Sequence, residues 1–271
     1  GLLRGVRRVA DLCAAPGGWS QVLAMRLLGQ GEDAPEGPEE PGEEACIVAV
    51  DKYEMQPIEG VVQVQGDITH GSTAQEVLRH FRGLRADLVV CDGAPDATGR
   101  TDFDEYVQHQ LLLSEFFLAT ALLRPGGSFV AKVFRGEHAG EVYARLGRAF
   151  SEVLCCKPRA SRNSSQEAFV VGRGFRPPEG FDPAKALYTP DRHEELFADL
   201  GTGSSTACVR FVACGGRDGL DADTNYPVDL DHEVLGPVAP PIHAPYEEAI
   251  DERRGLKRPG PPAVEATGSA S

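Results

Sequence analysis

The sequence has no apolar segment approaching the roughly 20 residues that a helix needs to cross a bilayer, and the apolar part of residues 1–8 is too short for a signal peptide. The seven cysteines form no C-x-x-C pair and have no zinc-type spacing to histidine. We therefore expect no membrane segment, no bound metal, and reduced cysteines in a cytoplasmic protein.

Two common nucleotide-binding motifs are also absent. The turn after the first predicted strand reads DLCAAPGGW at residues 11–19, with neither G-x-G-x-x-G nor a lysine-bearing phosphate loop. Small residues and glycines let a ligand lie against bare backbone at a helix N-terminus. A ligand with a carboxylate, a ribose and an adenine but no pyrophosphate suits this turn, which makes S-adenosylmethionine the candidate. An ordinary tight turn between a strand and a helix is the alternative.

The net charge of −14 argues at first against a nucleic-acid partner. The acidity is localised, however: residues 32–44 contribute −7 and residues 176–271 contribute −8, whereas the rest of the chain carries +1. A neutral main domain is compatible with RNA binding.

Hydrophobic patterning predicts strands that alternate with helices. The predicted strands are residues 8–13, 45–50, 61–64, 86–91, 128–134, 153–157 and 168–171, and the predicted helices are residues 19–28, 72–81, 105–123 and 141–150. The helix at 105–123 has a broad Leu/Phe stripe and is assigned to core packing. The alternation is typical of a Rossmann-like α/β fold, a doubly wound, mostly parallel sheet of about seven strands with helices on both faces.

Composition divides the chain into a main domain and appendages. We predict one domain over residues 1–175, interrupted by an acidic, disordered insertion at residues 29–44. Residues 176–235 are predicted to form an extension that packs on this domain. Residues 236–271 are rich in proline and are predicted to be a disordered tail.

Polar residues follow the predicted strands at the places where ligands bind in such sheets. Asp51, Asp67 and Asp92 end three successive strands, Lys132 lies near the end of the fifth, and Glu167 begins the last. A single acid in such a place is often only a helix cap. Three together indicate a binding edge, where one carboxylate can bind ribose hydroxyls and another can accept from an adenine amine.

Taken together, six motifs resemble the FtsJ-like family of RNA 2′-O-ribose methyltransferases. They are DLCAAPGGW, VAVD, QGDI, CDGAPD, GGSFVAKVF and KPRASRNSSQEAF, in this order along the chain. The segments CDGAPDATG and FVACGGRDGLDADTNYPVDL are most similar to the eukaryotic members that methylate anticodon-loop riboses of tRNA. The resemblance covers residues 6–175 closely and residues 176–248 more loosely.

The resemblance implies S-adenosylmethionine-dependent methylation of tRNA at nucleotide 32, nucleotide 34 or both, by a Lys-Asp-Lys-Glu tetrad. Asp92, Lys132 and Glu167 match the last three members of the tetrad. The first lysine lies on a helix before the first strand in the family, and this chain has no residue there. The implied cofactor-binding residues are Gly17, Trp19, Asp51, Asp67 and Asp92.

Lys132 suits the chemistry of a ribose hydroxyl, which is a weak acid and a poor nucleophile. A neutral amine can take the hydroxyl proton, and an ammonium can stabilise the developing alkoxide. Our working hypothesis makes Lys132 the general base, oriented by Asp92 and Glu167.

The candidate RNA contacts are Arg135, Lys157, Arg159 and Arg162, because bases among small polar residues suit phosphate binding. A merely solvated loop is the alternative.

The resemblance also implies an accessory protein that selects the target nucleotide, and we expect neither DNA nor a membrane as a partner. Methylation of ribosomal RNA or of an mRNA cap, and a non-catalytic cofactor-binding scaffold lacking the first lysine, are the competing functions.

Overall fold

The computed structural model describes residues 1–29, 45–95, 101–158, 161, 165–177 and 206–214. Within these ranges the chain forms eight strands and four helices. They are β1 (Arg8–Leu12), α1 (Gly18–Leu27), β2 (Cys46–Asp51), β3 (Val61–Gln65), α2 (Gly71–His80), β4 (Ala86–Cys91), α3 (Thr101–Leu122), β5 (Leu123–Phe134), α4 (Ala139–Ala149), β6 (Phe150–Pro158), β7 (Glu167–Phe175) and β8 (Arg210–Cys214).

All eight strands lie in one sheet, in the order β3-β2-β1-β4-β5-β7-β6-β8. Only β7, among the strands described, runs antiparallel to its neighbours. The predicted mostly parallel α/β sheet is therefore confirmed, although it has one more strand than expected. The additional strand, β8, pairs in parallel with β6.

The sheet is buried on both faces because its central strands are apolar at almost every position. On β4, Val89 and Cys91 belong to the larger core cluster, to which α2, α3 and α4 contribute. Leu88 and Val90 belong to the second cluster, which α1 covers. The prediction of helices on both faces is thus confirmed, and each fully buried aliphatic side chain contributes about 1.5–3 kcal/mol.

The order of the strands positions the functional edge. The chain runs outward from β1 through β2 to β3, then returns to the other side of β1 with β4 and β5. A doubly wound sheet opens a crevice at such a reversal, outside the carboxyl ends of the two strands that meet there. The turn after β1 and the loop after β4 therefore face each other across this crevice.

Several predicted boundaries were wrong. The segment at residues 124–127, predicted as a stop between a helix and a strand, lies within β5. Phe150, predicted to end a helix, begins β6, and β7 continues to Phe175 instead of ending at residue 171. Pairing with β5 and β6 on its two sides extends β7 beyond its apolar residues. Gly172 permits this, because a Cβ there would lie 2.7 Å from the Phe150 ring.

Most of the predicted appendages lie outside the described residues. This holds for residues 30–44 of the predicted insertion and for the whole of the predicted tail. Of the predicted extension, residues 176–177 and 206–214 are described, and the latter contain β8. No helix in the described part of the chain is long and apolar enough to cross a membrane.

Candidate active site

The turn after β1 exposes bare backbone at the start of α1. Gly17 precedes the helix with a φ of 112°, a left-handed conformation that favours glycine. A Cβ at this position would lie 3.0 Å from Ile58 Cδ1. A cis peptide bond joins Ala15 to Pro16 in the same turn. The turn thus presents backbone without side-chain cover before α1, and binding of the cofactor by Gly17 stays a prediction.

Asp51, at the end of β2, holds this turn in place. Its carboxylate is 8% exposed; Oδ2 accepts a hydrogen bond from the Ala15 amide at 2.9 Å, and Oδ1 accepts one from the Tyr53 amide at 2.8 Å. Each oxygen retains a lone pair for a further donor. Asp51 thus fixes the β1 turn, and its binding to ribose stays a prediction.

Asp67, after β3, lies at the outer end of the same edge. Its side chain is 49% exposed, and Oδ1 accepts hydrogen bonds from the Thr69 amide and hydroxyl at 2.8 and 2.7 Å. Burial raises the pKa of Asp67, but the Thr69 hydrogen bonds outweigh it and hold the pKa below the usual value. Asp67 is thus a charged acceptor, as binding of an amine would require.

Asp92 and Lys132 meet at the carboxyl ends of the adjacent strands β4 and β5. Cys91 pairs with Ala131, which places the next residues of both strands side by side. Lys132 Nζ lies 2.8 Å from Asp92 Oδ1, with the lysine side chain 13% exposed. The contact is an ion pair whose angles do not form a regular hydrogen bond. The sequence prediction that these two residues converge is therefore consistent with the structure.

Glu167 lies at this edge because β7 is antiparallel to β5 and β6 and therefore begins at the edge where those two strands end. Lys132 pairs with Phe169 and Phe134 pairs with Glu167, so Lys132 and Glu167 are diagonal neighbours on one face of the sheet. Diagonal Cα positions lie roughly 7–8 Å apart. The Trp19 ring packs on Phe169 at 5.3 Å, which places the start of α1 beside Lys132.

Sequence reasoning missed two buried acids beside this pair. Asp11, on β1, is fully buried; Oδ2 accepts from the Ser20 hydroxyl at 2.6 Å, and Oδ1 has no partner among the described residues. Burial raises the pKa of Asp11 to about 7, and the nearby carboxylates of Asp92 and Asp51 add to the shift. An acid inside an otherwise apolar strand was the signal in the sequence.

Glu115, on α3, is the second acid. It is fully buried, and neither carboxyl oxygen has a hydrogen-bond partner among the described residues. A Cβ on Gly93 would overlap Glu115 Oε1, so the carboxyl lies against the backbone that follows Asp92. Burial raises the pKa of Glu115 to about 8; Asp92 adds to the shift and Lys132 opposes it. The sequence signal for this buried acid was its place in the Leu/Phe stripe of the helix predicted at residues 105–123, a helix that we had assigned to core packing alone.

The predicted RNA contacts differ in their accessibility. Lys157 is buried, and its Nζ donates to Ser161 Oγ and the Ser165 carbonyl, each at 2.9 Å, and to the Glu167 carbonyl at 3.4 Å. Lys157 therefore stabilises the loop that connects β6 to β7, and its ammonium is not placed to contact an RNA phosphate. Arg135 lies 5.2 Å from the centre of the half-exposed Phe211 ring.

The remaining two predicted contacts, Arg159 and Arg162, lie outside the described residues. Over the ranges that the structure describes, no three His, Cys, Asp or Glu side chains are arranged to hold a metal ion.

The fold is shared with known methyltransferases. A putative ribosomal RNA methyltransferase from Plasmodium falciparum superposes with a TM-score of 0.54 at 22% sequence identity, over 65% of this chain and 89% of that protein. At this identity the likeness concerns the fold alone.

Two proteins found by sequence comparison are more similar to this chain than that structure is. The human tRNA (cytidine(32)/guanosine(34)-2′-O)-methyltransferase is 49% identical over 268 residues, which are 97% of this chain and 77% of the human protein. The Schizosaccharomyces pombe protein of the same name is 46% identical over 252 residues, 92% of this chain and 84% of the yeast protein. The model of the FtsJ-like methyltransferase family matches residues 1–175. This chain therefore belongs to the FtsJ-like methyltransferase family.

Proposed function

We propose that this protein transfers the methyl group of S-adenosylmethionine to the ribose 2′-hydroxyl of tRNA at nucleotide 32, nucleotide 34 or both. The Asp92–Lys132 ion pair carries the proposal, because it places an amine beside the crevice where ligands bind in a doubly wound sheet. The relatives named above act on these two nucleotides.

The residues at this edge fit the cofactor. S-adenosylmethionine carries an ammonium and a sulfonium, and the carboxyls of Asp51, Asp67 and Asp92 follow or end strands at this edge. Asp11 Oδ1 is a buried acceptor without a partner among the described residues and could accept a hydrogen bond from the ligand. Gly17 and Gly18 would lie along the ligand, while Asp51 and Asp67 would accept from its ribose and adenine. When bound, the cofactor supplies a methyl group on a leaving group that is already activated.

The chain must then align the acceptor oxygen and manage one proton. Lys132 Nζ would take the proton of the 2′-hydroxyl while that oxygen accepts the methyl group, which the bound cofactor would supply with a neutral thioether as the leaving group. The resulting ammonium is stabilised by Asp92, at the 2.8 Å separation described above. Glu167, diagonal to Lys132 on the same face, orients the amine. Loss of a proton to solvent restores the base.

Binding of tRNA would involve the basic residues beyond β5. Arg135, Arg159 and Arg162 are the proposed phosphate contacts, with Arg135 held beside Phe211. An accessory protein that selects the nucleotide is part of the proposal, as the family resemblance implies; the net charge of −8 over residues 176–271, which disfavours nonspecific contact with RNA, is compatible with it. We place the reaction in the cytoplasm, which the cysteine pattern of the sequence favours.

A methyl-transfer assay with isotopically labelled cofactor tests the proposal. The substrates are tRNA with an unmodified anticodon loop, ribosomal RNA and capped mRNA, each with and without cell extract. The matched control is the same tRNA with 2′-deoxyribose at nucleotides 32 and 34. We expect label on tRNA only, absent from the deoxyribose control. Label on ribosomal RNA or caps alone, or cofactor binding without transfer in extract, would contradict the proposal.

A further inference from the structure

We infer that Glu115 is a positioning residue for this reaction: its buried carboxyl packs against the backbone that carries Asp92 and so sets how Asp92 meets Lys132. The inference rests on the proposed function of Lys132 as the base. It assigns a role to a residue of α3 that lies outside the Lys-Asp-Lys-Glu set.

The first argument is the position of the carboxyl. Glu115 is fully buried on α3, and its Oε1 occupies the space that a side chain on residue 93 would need. Leu111 Cδ2 and Cys13 Sγ close the same space, at 2.9 and 3.2 Å from where a Cβ of residue 93 would be. Glu115 therefore bears directly on the residue after Asp92 and can set where the Asp92 carboxylate lies.

The second argument is the absence of charge compensation. Neither oxygen of Glu115 makes a regular hydrogen bond in the described part of the chain; the Cys13 thiol and the Gly93 amide lie near enough to lower its pKa, but burial outweighs them. A carboxylate with so few donors is costly to bury in its ionised form. The groups around it are Cys13 on the turn after β1, Cys91 and Asp92 on β4 and its loop, and Lys132 on β5. Lys132 is the only cation among them and is already paired with Asp92. Burial, which raises the pKa of Glu115 to about 8, thus keeps it protonated at neutral pH.

This protonation has a consequence for the base. If Glu115 were ionised, Lys132 would have a further carboxylate near it besides Asp92 and Glu167, and its ammonium form would be stabilised more strongly. A stabilised ammonium cannot accept the ribose proton. A neutral Glu115 fills the space behind Gly93 without adding this further charge, which keeps more of Lys132 available as an amine.

The test compares Glu115→Gln with Glu115→Ala in the full chain. Glutamine keeps the shape but cannot ionise. Below about pH 8, where Glu115 is protonated, we expect the two proteins to have the same rate; above it, where wild type gains a carboxylate near Lys132, the rise of kcat should lie at lower pH in Glu115→Gln by on the order of one unit. Alanine removes the support behind Gly93, and we expect kcat to fall about tenfold or more across the pH range. Asp87→Asn is the control: Asp87 lies at the opposite end of β4, paired with Arg124, and this variant should keep the wild-type pH profile.

A second readout does not depend on turnover. Competitive labelling of lysine amines with an acylating reagent, read by mass spectrometry, reports the pH at which Lys132 becomes a free amine. We expect labelling of Lys132 at lower pH in Glu115→Gln than in wild type. Superimposable labelling and rate curves, or a glutamine variant as impaired as the alanine variant, would overturn the inference. If wild type transfers no methyl group, the proposed function fails, while the labelling curves still decide the role of Glu115.

Discussion

The two halves of the sheet differ in the charge that they place at the same edge. In the half formed by β3, β2, β1 and β4, the groups at or near this edge include the carboxyls of Asp11, Asp51, Asp67 and Asp92, together with Lys52, which follows Asp51. In the half formed by β5, β7, β6 and β8, the cations Lys132 and Arg135 lie at this edge with the acid Glu167, while Lys157 is buried in its own loop. We therefore expect the first half to bind a cationic methyl donor and the second a polyanionic acceptor.

The boundary between the halves is where the reaction is proposed. Asp92 ends the acidic half and Lys132 belongs to the basic half, and the two meet at 2.8 Å. From this difference we expect the sheet to bind ligands of opposite charge side by side, with the proposed proton-transferring group at their junction. Four changes test this division, from the largest expected effect to the smallest.

Replacing Lys132 by Ala should lower methyl transfer to tRNA by about 10³-fold or more, because general-base catalysis and charge stabilisation are both lost. Cofactor affinity, measured by calorimetry, should stay within about twofold. Lys132→Arg is the matched variant, since arginine keeps the charge but cannot act as a base. Substantial turnover by the arginine variant would show that Lys132 acts only as a cation.

Replacing Asp11 by Asn should flatten the dependence of stability on pH. The pKa of Asp11 rises from 3.8 to about 7 on folding, so its contribution is fully present below pH 3.8 and is lost as the pH rises to about 7. Wild type should therefore lose up to about 4 kcal/mol over this range from Asp11 alone. Denaturant unfolding of wild type and Asp11→Asn at pH 5 and pH 8 measures the difference. An equal dependence of the unfolding free energy on pH in both proteins would contradict the raised pKa of Asp11.

Replacing Asp51 by Ala should weaken cofactor binding by about 10-fold to 100-fold, because the amides of Ala15 and Tyr53 lose a charged acceptor. Equilibrium binding of S-adenosylmethionine measures this loss. Asp51→Asn, which keeps one acceptor, should lie between the alanine variant and wild type. Unchanged binding by the alanine variant would separate Asp51 from the cofactor.

Replacing Arg135 by Ala should weaken tRNA binding by only about fivefold and lower the salt dependence of binding by roughly one charge. Affinity measured at several salt concentrations gives both values. Arg79→Ala, an exposed arginine of α2 in the acidic half, is the control and should change neither. Equal effects of the two substitutions would erase the proposed difference between the halves.

The sequence by itself determined the alternation of elements, the mostly parallel sheet and the identity of the edge. Apolar strands of four to seven residues and Gly/Pro turns reflect local backbone preferences, which are written in neighbouring residues. For the same reason Asp51, Asp67, Asp92 and Lys132 could be placed at strand ends before any coordinates. The motifs then gave the family.

Tertiary structure alone decided the properties that depend on distant residues. Lys157 looked like a surface base, but its ammonium is buried and donates to the Ser161 hydroxyl and to the carbonyls of Ser165 and Glu167. Glu115 looked like part of a core helix, but Gly93 and Asp92 from another segment give its carboxyl its surroundings. The extension of β7 depended on strands on both of its sides. Burial and charge are set by atoms brought together from remote parts of the chain, and no local pattern contains that information.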